Sequence, residues 1–208
     1  LAAIVGVGQY VDTPLKTMEV NVIGTKRLLE GFVGTDTRFV FASTSEIYAK
    51  NPDVPWHEDD DRVLGPPIKH RWSYSTSKSA CEHMLHALIE SGELTATVIR
   101  PFNVYGPHQR PDFVLSAFVK EVVTGGTLQV FGDGTQTRSP TFIEDFLDGI
   151  LTASTHPAGE NEVFNIGGTR EVQIRDLAEL VLETAGVDDD PEHIPVEEVY
   201  DEGYEDLD

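Results

Sequence analysis

The chain has 208 residues, a formal net charge of −21 and a single cysteine, Cys81. So acidic a surface repels nucleic acid and anionic membranes. No apolar run reaches the ~20 residues of a membrane helix, nothing at the start resembles a signal peptide, and one cysteine excludes an internal disulfide, which suits a reducing cytoplasm.

The seven histidines show no zinc-like spacing, so no metal site is expected. The acids are scattered among apolar periodic segments, and only "VDDDPEHIPVEEVYDEGYEDLD" is acidic enough to suggest a loose segment. Composition therefore points to a folded protein with the hydrated acidic surface of proteins from salt-loving organisms.

In chain order, "LAAIVGVGQYVD" reads as the tail of a buried strand running into a Gly-rich loop. Thr13 can cap a helix with Pro14 at its first position. Leu15, Met18, Val22, Leu28 and Leu29 give that helix an apolar face, and Gly31 or Gly34 ends it. "RFVFAS", from Arg38 to Ser43, is a short buried strand. A long loop with Pro52, Pro55, Pro66 and Pro67 follows, too long to be mere connection. A helix is expected from about Tyr74 to Glu90, then a buried strand "TATVIR". "FVLSAFVKEVV", "FIEDFLDGILTAS" and "IRDLAELVLETAG" read as helices, and "LQVF" and "EVFNIG" as strands. Strands alternating with helices imply an α/β fold, a doubly wound parallel sheet whose ligands sit at the carboxyl ends of the strands.

Tyr74 and Lys78 are four apart on a predicted helix and share a face. An ammonium near a phenol favours the phenolate, which can take a proton from a sugar or alcohol hydroxyl. Spacing alone favours a plainer reading, a surface pair on an amphipathic helix. The strand end "FASTSEIY" shifts the balance. It sets Ser43, Thr44 and Ser45 where an open sheet holds its ligands, with Glu46 as a possible general acid or base; a Ser/Thr-rich turn is the alternative. "IRPFNVYGP" repeats the pattern and offers Asn103, which a simple turn asparagine would equally explain. "FGDGTQTRSP" ends in Arg138, suited to phosphate, though an exposed hairpin turn would look the same.

In order, "STSEIY", "YSTSK", "RPFNVYGP", "GDGTQTR" and "FNIGG" resemble the motifs of the extended short-chain dehydrogenases/reductases, the NAD-dependent epimerases and dehydratases of nucleotide sugars. "STSE", "HRWSYSTSK" and the terminal "GYEDLD" are most similar to UDP-glucuronate decarboxylases. The resemblance implies a Rossmann-like sheet lacking its N-terminal part and a smaller C-terminal substrate-binding region. Residues 1–105 would carry the NAD-binding and catalytic part, and residues 106–208 mainly the substrate region. It further implies that Tyr74 is the catalytic base and that Lys78 holds the nicotinamide ribose and lowers the tyrosine pKa. Thr44 and Ser45 would hold the reacting hydroxyl, and Glu46 would be the acid/base group. Ala2, Ala3 and Pro101 would touch the cofactor. Tyr10, Arg71, Asn103, Arg138 and Tyr204 would meet a UDP-sugar, with Arg71 facing its carboxylate, and Asn21 would lie beside the site. A homodimer through paired helices, including the one bearing Tyr74, is also implied.

Three departures accompany the resemblance. The family's opening Gly-rich phosphate loop and ribose-binding acid are not in the sequence. Leu1 would fall in the fourth strand, so on the order of 70 residues would precede it, at ~30 per βαβ step. The decarboxylases carry a catalytic arginine just after the segment matching "GYEDLD", and Ala49 stands where glycine is usual. A fragment of this extent is expected not to hold NAD usefully by itself. Two alternatives to the decarboxylase stay open: a UDP-sugar 4-epimerase, acting on UDP-glucose or UDP-glucuronate, and a non-catalytic fragment that binds sugar nucleotide.

Overall fold

The computed structural model describes residues 3–199. Its strands are β1 (Phe39–Ala42), β2 (Ala96–Pro101), β3 (Val104–Tyr105), β4 (Gln129–Phe131), β5 (Thr137–Arg138), β6 (Thr141–Phe142), β7 (Val163–Ile166), β8 (Val172–Gln173) and β9 (Glu192–Ile194). The helices are α1 (Val7–Asp12), α2 (Pro14–Met18), α3 (Gly24–Glu30), α4 (Ser73–Glu90), α5 (Val114–Thr124), α6 (Ile143–Thr155), α7 (Ile174–Ala185) and α8 (Val196–Val199). The chain forms two compact units, Leu1–Phe102 with Glu144–Ile166, and Asn103–Ile143 with Gly167–Asp208. The segment Glu144–Ile166 belongs with the first unit because β7 pairs with β2 there.

The first unit is built on a parallel sheet in the order β1–β2–β7. Ala96, Val98 and Ile99 of β2 are essentially inaccessible, as expected of a central parallel strand covered on both faces. Phe41, Ala96 and Val98 pack with Leu29 of α3 and with Cys81 and Leu85 of α4 in one apolar cluster. This packing fixes α4 against the sheet, so the first turns of the helix lie by the carboxyl end of β1.

Among the described residues, the second unit has three strand pairs, β3–β6 and β4–β9 parallel and β5–β8 antiparallel. Its core joins Phe118 of α5, Val130 of β4 and Ile174, Leu177, Ala178 and Leu182 of α7. Helices α5 and α7 each stop at a left-handed glycine, Gly125 and Gly186, the usual helix terminator.

The expected Gly-rich loop after residue 5 is instead helix α1. Gly6, at φ 106°, turns the chain directly into it. Thr13 caps no helix with its side chain. Its hydroxyl donates to the Gln9 carbonyl at 2.7 Å and closes α1, while Pro14 opens α2 as expected. The helix predicted beyond Pro14 is continuous but contains a π-helical turn, Glu19–Ile23, centred on Asn21. One inserted residue of this kind re-aims the side chains around it.

Candidate active site

Strand β1 ends at Ala42, and the chain then passes Ser43 and Thr44 into a 3₁₀ turn, Ser45–Ile47. The Thr44 hydroxyl accepts from the Glu46 amide at 3.2 Å, a side-chain cap that fixes the turn. A second 3₁₀ turn, His70–Trp72, leads straight into α4, so Arg71 and Tyr74 come from one rigid entry. Helix α1 supplies Tyr10. All of these lie in the first unit.

They form one cluster. The Tyr10 ring stacks on the Tyr74 ring, 5.3 Å between centres and 7° from parallel. Arg71 Nη1 donates to the Tyr10 phenol oxygen at 2.6 Å and to Glu46 Oε2 at 2.7 Å. The Tyr10 hydroxyl reaches the same carboxylate oxygen at 3.4 Å. The Arg71 guanidinium lies 5.5 Å from the centres of the Tyr10 and Trp72 rings. Tyr10 is inaccessible and the Arg71 side chain is 4 % exposed, whereas the Glu46 side chain is 25 % exposed. The carboxylate is therefore the member of the cluster that faces outward.

Lys78, one turn beyond Tyr74, is buried. Its ammonium donates to the Ala42 carbonyl at 2.6 Å, and it lies 4.9 Å from the Phe41 ring centre and 6.0 Å from that of Tyr74. Burial lowers its pKa, with the Cys81 and Glu82 charges acting the other way. The Tyr74 phenol is pushed well above its ordinary value, first by burial and then by the Glu46 charge; a hydrogen bond with Thr44 opposes this. The lowered phenol pKa implied by the resemblance is thus not the state of this structure. Desolvation dominates, and the lysine's charge is directed at the end of β1.

Asn21, in the π-helical turn, ties three segments together. Its amide donates to the Ile4 carbonyl at 3.2 Å and to Ser77 Oγ at 3.0 Å, and its Oδ1 accepts from the Ile4 amide at 2.9 Å. This holds the segment just after Ala3 to helix α4 beside Lys78. Pro101 ends β2, paired with Ile166. Ser45 is half-buried in its turn. Asn103 and Arg138 belong to the second unit. Asn103 sits at φ 37°, a left-handed position that asparagine tolerates, and its carbonyl accepts from the Thr141 amide at 3.2 Å. Arg138 is half-buried in β5. Ala2 and Tyr204 lie outside the described residues.

Sequence reasoning missed a second polar network in the first unit. Arg100 forms a two-point pair with Glu82 of α4, Nε–Oε1 3.1 Å and Nη2–Oε2 2.6 Å. Its Nη1 donates to the Tyr48 hydroxyl at 2.6 Å and to the Glu58 carbonyl at 2.7 Å. The Tyr48 hydroxyl donates to Asn165 Oδ1 at 2.8 Å. A charged residue closing the apolar run "TATVIR" was the available signal, since a buried charge needs a partner.

The residues at the end of β1 fit the nicotinamide end of a dinucleotide. Lys78 supplies a cation there, and the Ser43 hydroxyl is a buried polar atom with no hydrogen-bond partner among the described residues. Those described residues include no cluster of histidine, cysteine and acidic side chains suited to a metal, and no described helix is long and apolar enough to cross a membrane.

Residues 1–167 match the model of the NAD dependent epimerase/dehydratase family. The chain is 33 % identical over 210 residues to a UDP-N-acetyl-alpha-D-glucosaminuronate decarboxylase of Bacillus cytotoxicus, covering 100 % of this chain and 64 % of that protein. It is 34 % identical over 200 residues to a UDP-glucose 4-epimerase of Mycolicibacterium smegmatis, covering 94 % and 62 %. Among solved structures, the dTDP-glucose 4,6-dehydratase of Streptomyces venezuelae, with NAD bound, matches with TM-score 0.81 and 29 % identity over 97 % of this chain and 61 % of its own. The chain thus spans somewhat under two thirds of the proteins it matches. The described residues contain the Rossmann-like parallel sheet that the motif order implies, and the chain belongs to the NAD-dependent epimerase/dehydratase family.

Proposed function

We propose that the full protein acts on a UDP-linked uronic acid and decarboxylates it through a 4-keto sugar. The observation that carries this reading is the meeting of Tyr74, Thr44, Lys78 and an outward-facing Glu46 at the carboxyl end of β1. Lys78 and Ser43, with Pro101 at the end of β2 and Ala3 just before the Asn21-held Ile4, would hold the nicotinamide end of NAD. Bound there, NAD would supply the hydride acceptor and donor for carbon 4 of the sugar. On the substrate side, Asn103, Arg138 and Tyr204 are the assignments carried by the resemblance; Tyr10, also assigned there, is inaccessible and stacks on Tyr74 instead.

Tyr74 takes the proton of the 4-hydroxyl as carbon 4 is oxidised, and Thr44, hydrogen-bonded to that phenol, holds the same oxygen. Lys78 keeps positive charge close to the phenolate that must form, offsetting the burial that opposes it. With a ketone at carbon 4, a carboxylate on carbon 5 is β to it. The bond to carbon dioxide then breaks with its electron pair drawn into the ketone as an enolate. Glu46, taking a proton from solvent through its exposed side, passes that proton to carbon 5, and Tyr74 returns its proton to the 4-oxygen as the ketone is reduced.

The test is to incubate full-length enzyme separately with UDP-glucuronate and UDP-glucose. Carbon dioxide and UDP-xylose from the first are the expected result, and Tyr74→Phe should reduce turnover by ~10²–10⁴, the usual worth of one acid/base group. The second reading, a 4-epimerase, draws on the 34 % identity to UDP-glucose and UDP-glucuronate 4-epimerases. Interconversion of 4-epimers with no gas release would establish it instead.

A further inference from the structure

Arg71 immediately precedes the catalytic helix, where a guanidinium could meet a substrate carboxylate. Its geometry points elsewhere. Recognition of a free carboxylate uses the two-pronged edge of a guanidinium that can trade water for ligand. The Arg71 side chain is 4 % exposed and has almost no water to trade. Its plane lies among the Tyr10 and Trp72 rings. A single nitrogen, Nη1, serves both Tyr10 at 2.6 Å and Glu46 at 2.7 Å. Both acceptors lead directly to proposed chemistry, since Glu46 is the proposed proton donor and its side chain is 25 % exposed, and the Tyr10 ring covers Tyr74 at 5.3 Å.

We propose that Arg71 is a positioning residue, a clamp that sets the Glu46 carboxylate and, through the Tyr10 ring, the Tyr74 phenol in one fixed arrangement, and that it does not bind the sugar carboxylate. This rests on the reading that Glu46 and Tyr74 carry the proton transfers. The clamp joins three elements otherwise far apart in sequence: helix α1, the turn after β1 and the entry to α4. It accounts for a buried cation that a purely structural role would leave without purpose next to a half-exposed acid.

The experiment compares wild type, Arg71→Met, Arg71→Lys, Tyr10→Phe, Glu46→Gln and the Arg71→Met/Glu46→Gln double variant of the full-length protein. Carbon dioxide release gives kcat and KM, and calorimetry gives affinities for UDP-glucuronate and for UDP-xylose, which lacks the carboxylate. A clamp predicts that Arg71→Met lowers kcat by about tenfold or more while KM stays within about threefold, the pattern of a lost transition-state arrangement. The double variant should be no worse than Glu46→Gln by more than about twofold, because the two act as one unit. Arg71→Lys should recover part of the rate, and Tyr10→Phe should lower kcat a few-fold with KM unmoved. If Arg71→Met does not fold, Arg71→Lys and Tyr10→Phe still decide the matter through the ratio of the two affinities. The proposal is overturned if losing Arg71's fork, in Arg71→Met or Arg71→Lys, weakens UDP-glucuronate about tenfold while UDP-xylose is unaffected, or if the kcat losses simply multiply. If wild type releases no carbon dioxide, the functional reading falls by itself, and the affinity ratio still assigns or denies Arg71 the carboxylate.

Discussion

The first unit holds two clusters built from the same three residue types. In one, Arg71 joins Tyr10 and Glu46; in the other, Arg100 joins Tyr48 and Glu82. Each tyrosine is inaccessible, each hydroxyl accepts from its arginine at 2.6 Å, and each ring stacks on another aromatic, Tyr74 or Trp56. They differ in the acid. Glu82 is 8 % exposed and held at two points, whereas Glu46 is 25 % exposed and held through one nitrogen. A buried pair bonded at both ends is a fastener, here tying α4 to β2 and to the loop at Glu58. On the proposed function, a pair whose acid reaches the surface would keep a proton-transfer group available while fixing where it points. The same side chains would then serve architecture or chemistry according to how completely the carboxylate is desolvated.

The sharpest way to break the comparison is to remove one partner from each ion pair and read stability. Glu82→Ala strands the Arg100 charge in a site with little water, and such a loss costs about 3–5 kcal/mol. Glu46→Ala leaves the buried Arg71 guanidinium beside the space vacated by an acid that is 25 % exposed, through which water can reach Nη1, so its cost should be smaller. Urea unfolding of both variants checks this. A double replacement, Glu82→Leu with Arg100→Met, should recover much of the loss, since well-packed apolar pairs often replace buried ion pairs without penalty. Equal losses for Glu82→Ala and Glu46→Ala would erase the distinction drawn between the clusters.

The charge at Glu46 also leaves a signature in pH dependence. Burial, and then the Glu46 carboxylate, raise the Tyr74 pKa. Only the phenolate is a base, so on the acid side a higher pKa means less active enzyme and a rate that climbs with pH. Removing the Glu46 charge must therefore move that limb to lower pH. Lys78→Met, which takes away the cation 6.0 Å from the Tyr74 ring centre, must move it to higher pH. The Glu46 shift should be the larger, because that charge acts directly on the Tyr74 phenol while the Lys78 ammonium is held at the Ala42 carbonyl. The first oxidation, followed as NADH absorbance in a single turnover of the full-length protein, isolates this step from decarboxylation. Glu82→Gln should leave the Tyr74 limb nearly unmoved.

What could be read from sequence follows the range of the interaction involved. Strands β1 and β2 and helices α4 to α7 were legible because continuous apolar runs and helical spacing are local signals. Helix α1 was not, because Gly6 and Gly8 suggest a loop unless one knows that Gly6 spends its freedom at φ 106° and the helix follows. Two-residue strands such as β5 and β8 carry no period to detect. Within the site, the Tyr74–Lys78 spacing and the hydroxyls after β1 were visible. The Arg71 contacts, spanning 61 and 25 residues, were not. Ala49 departs from the glycine usual in the family, and its φ of 49° supplies the reason for that usage, since a Cβ in the left-handed region is strained.

The finest test removes one oxygen from each cluster. Tyr48→Phe takes away the acceptor for Arg100 Nη1 and the donor to Asn165 Oδ1. Arg100 keeps the Glu58 carbonyl and both Glu82 contacts, so the loss is confined to two hydrogen bonds in a dry place, about 1–2 kcal/mol. The Arg71 cluster, proposed to carry the chemistry, shares none of these hydrogen bonds, so kcat should hold once the protein is folded. Tyr10→Phe removes one oxygen from a position where Arg71 still has Glu46 beside it, and the phenyl ring can still stack on Tyr74. Its cost in stability should stay at or below about 1 kcal/mol, the net worth of a single hydrogen bond whose donor keeps another acceptor. Its effect should instead fall on turnover, because the freed guanidinium no longer has two anchors to set the Glu46 oxygen. One oxygen lost in each place should therefore separate into a stability defect without a rate defect and a rate defect with little loss of stability. Thermal unfolding and kcat measured on the same two preparations decide it, and a rate loss in Tyr48→Phe as large as that in Tyr10→Phe would show that the two clusters are one network.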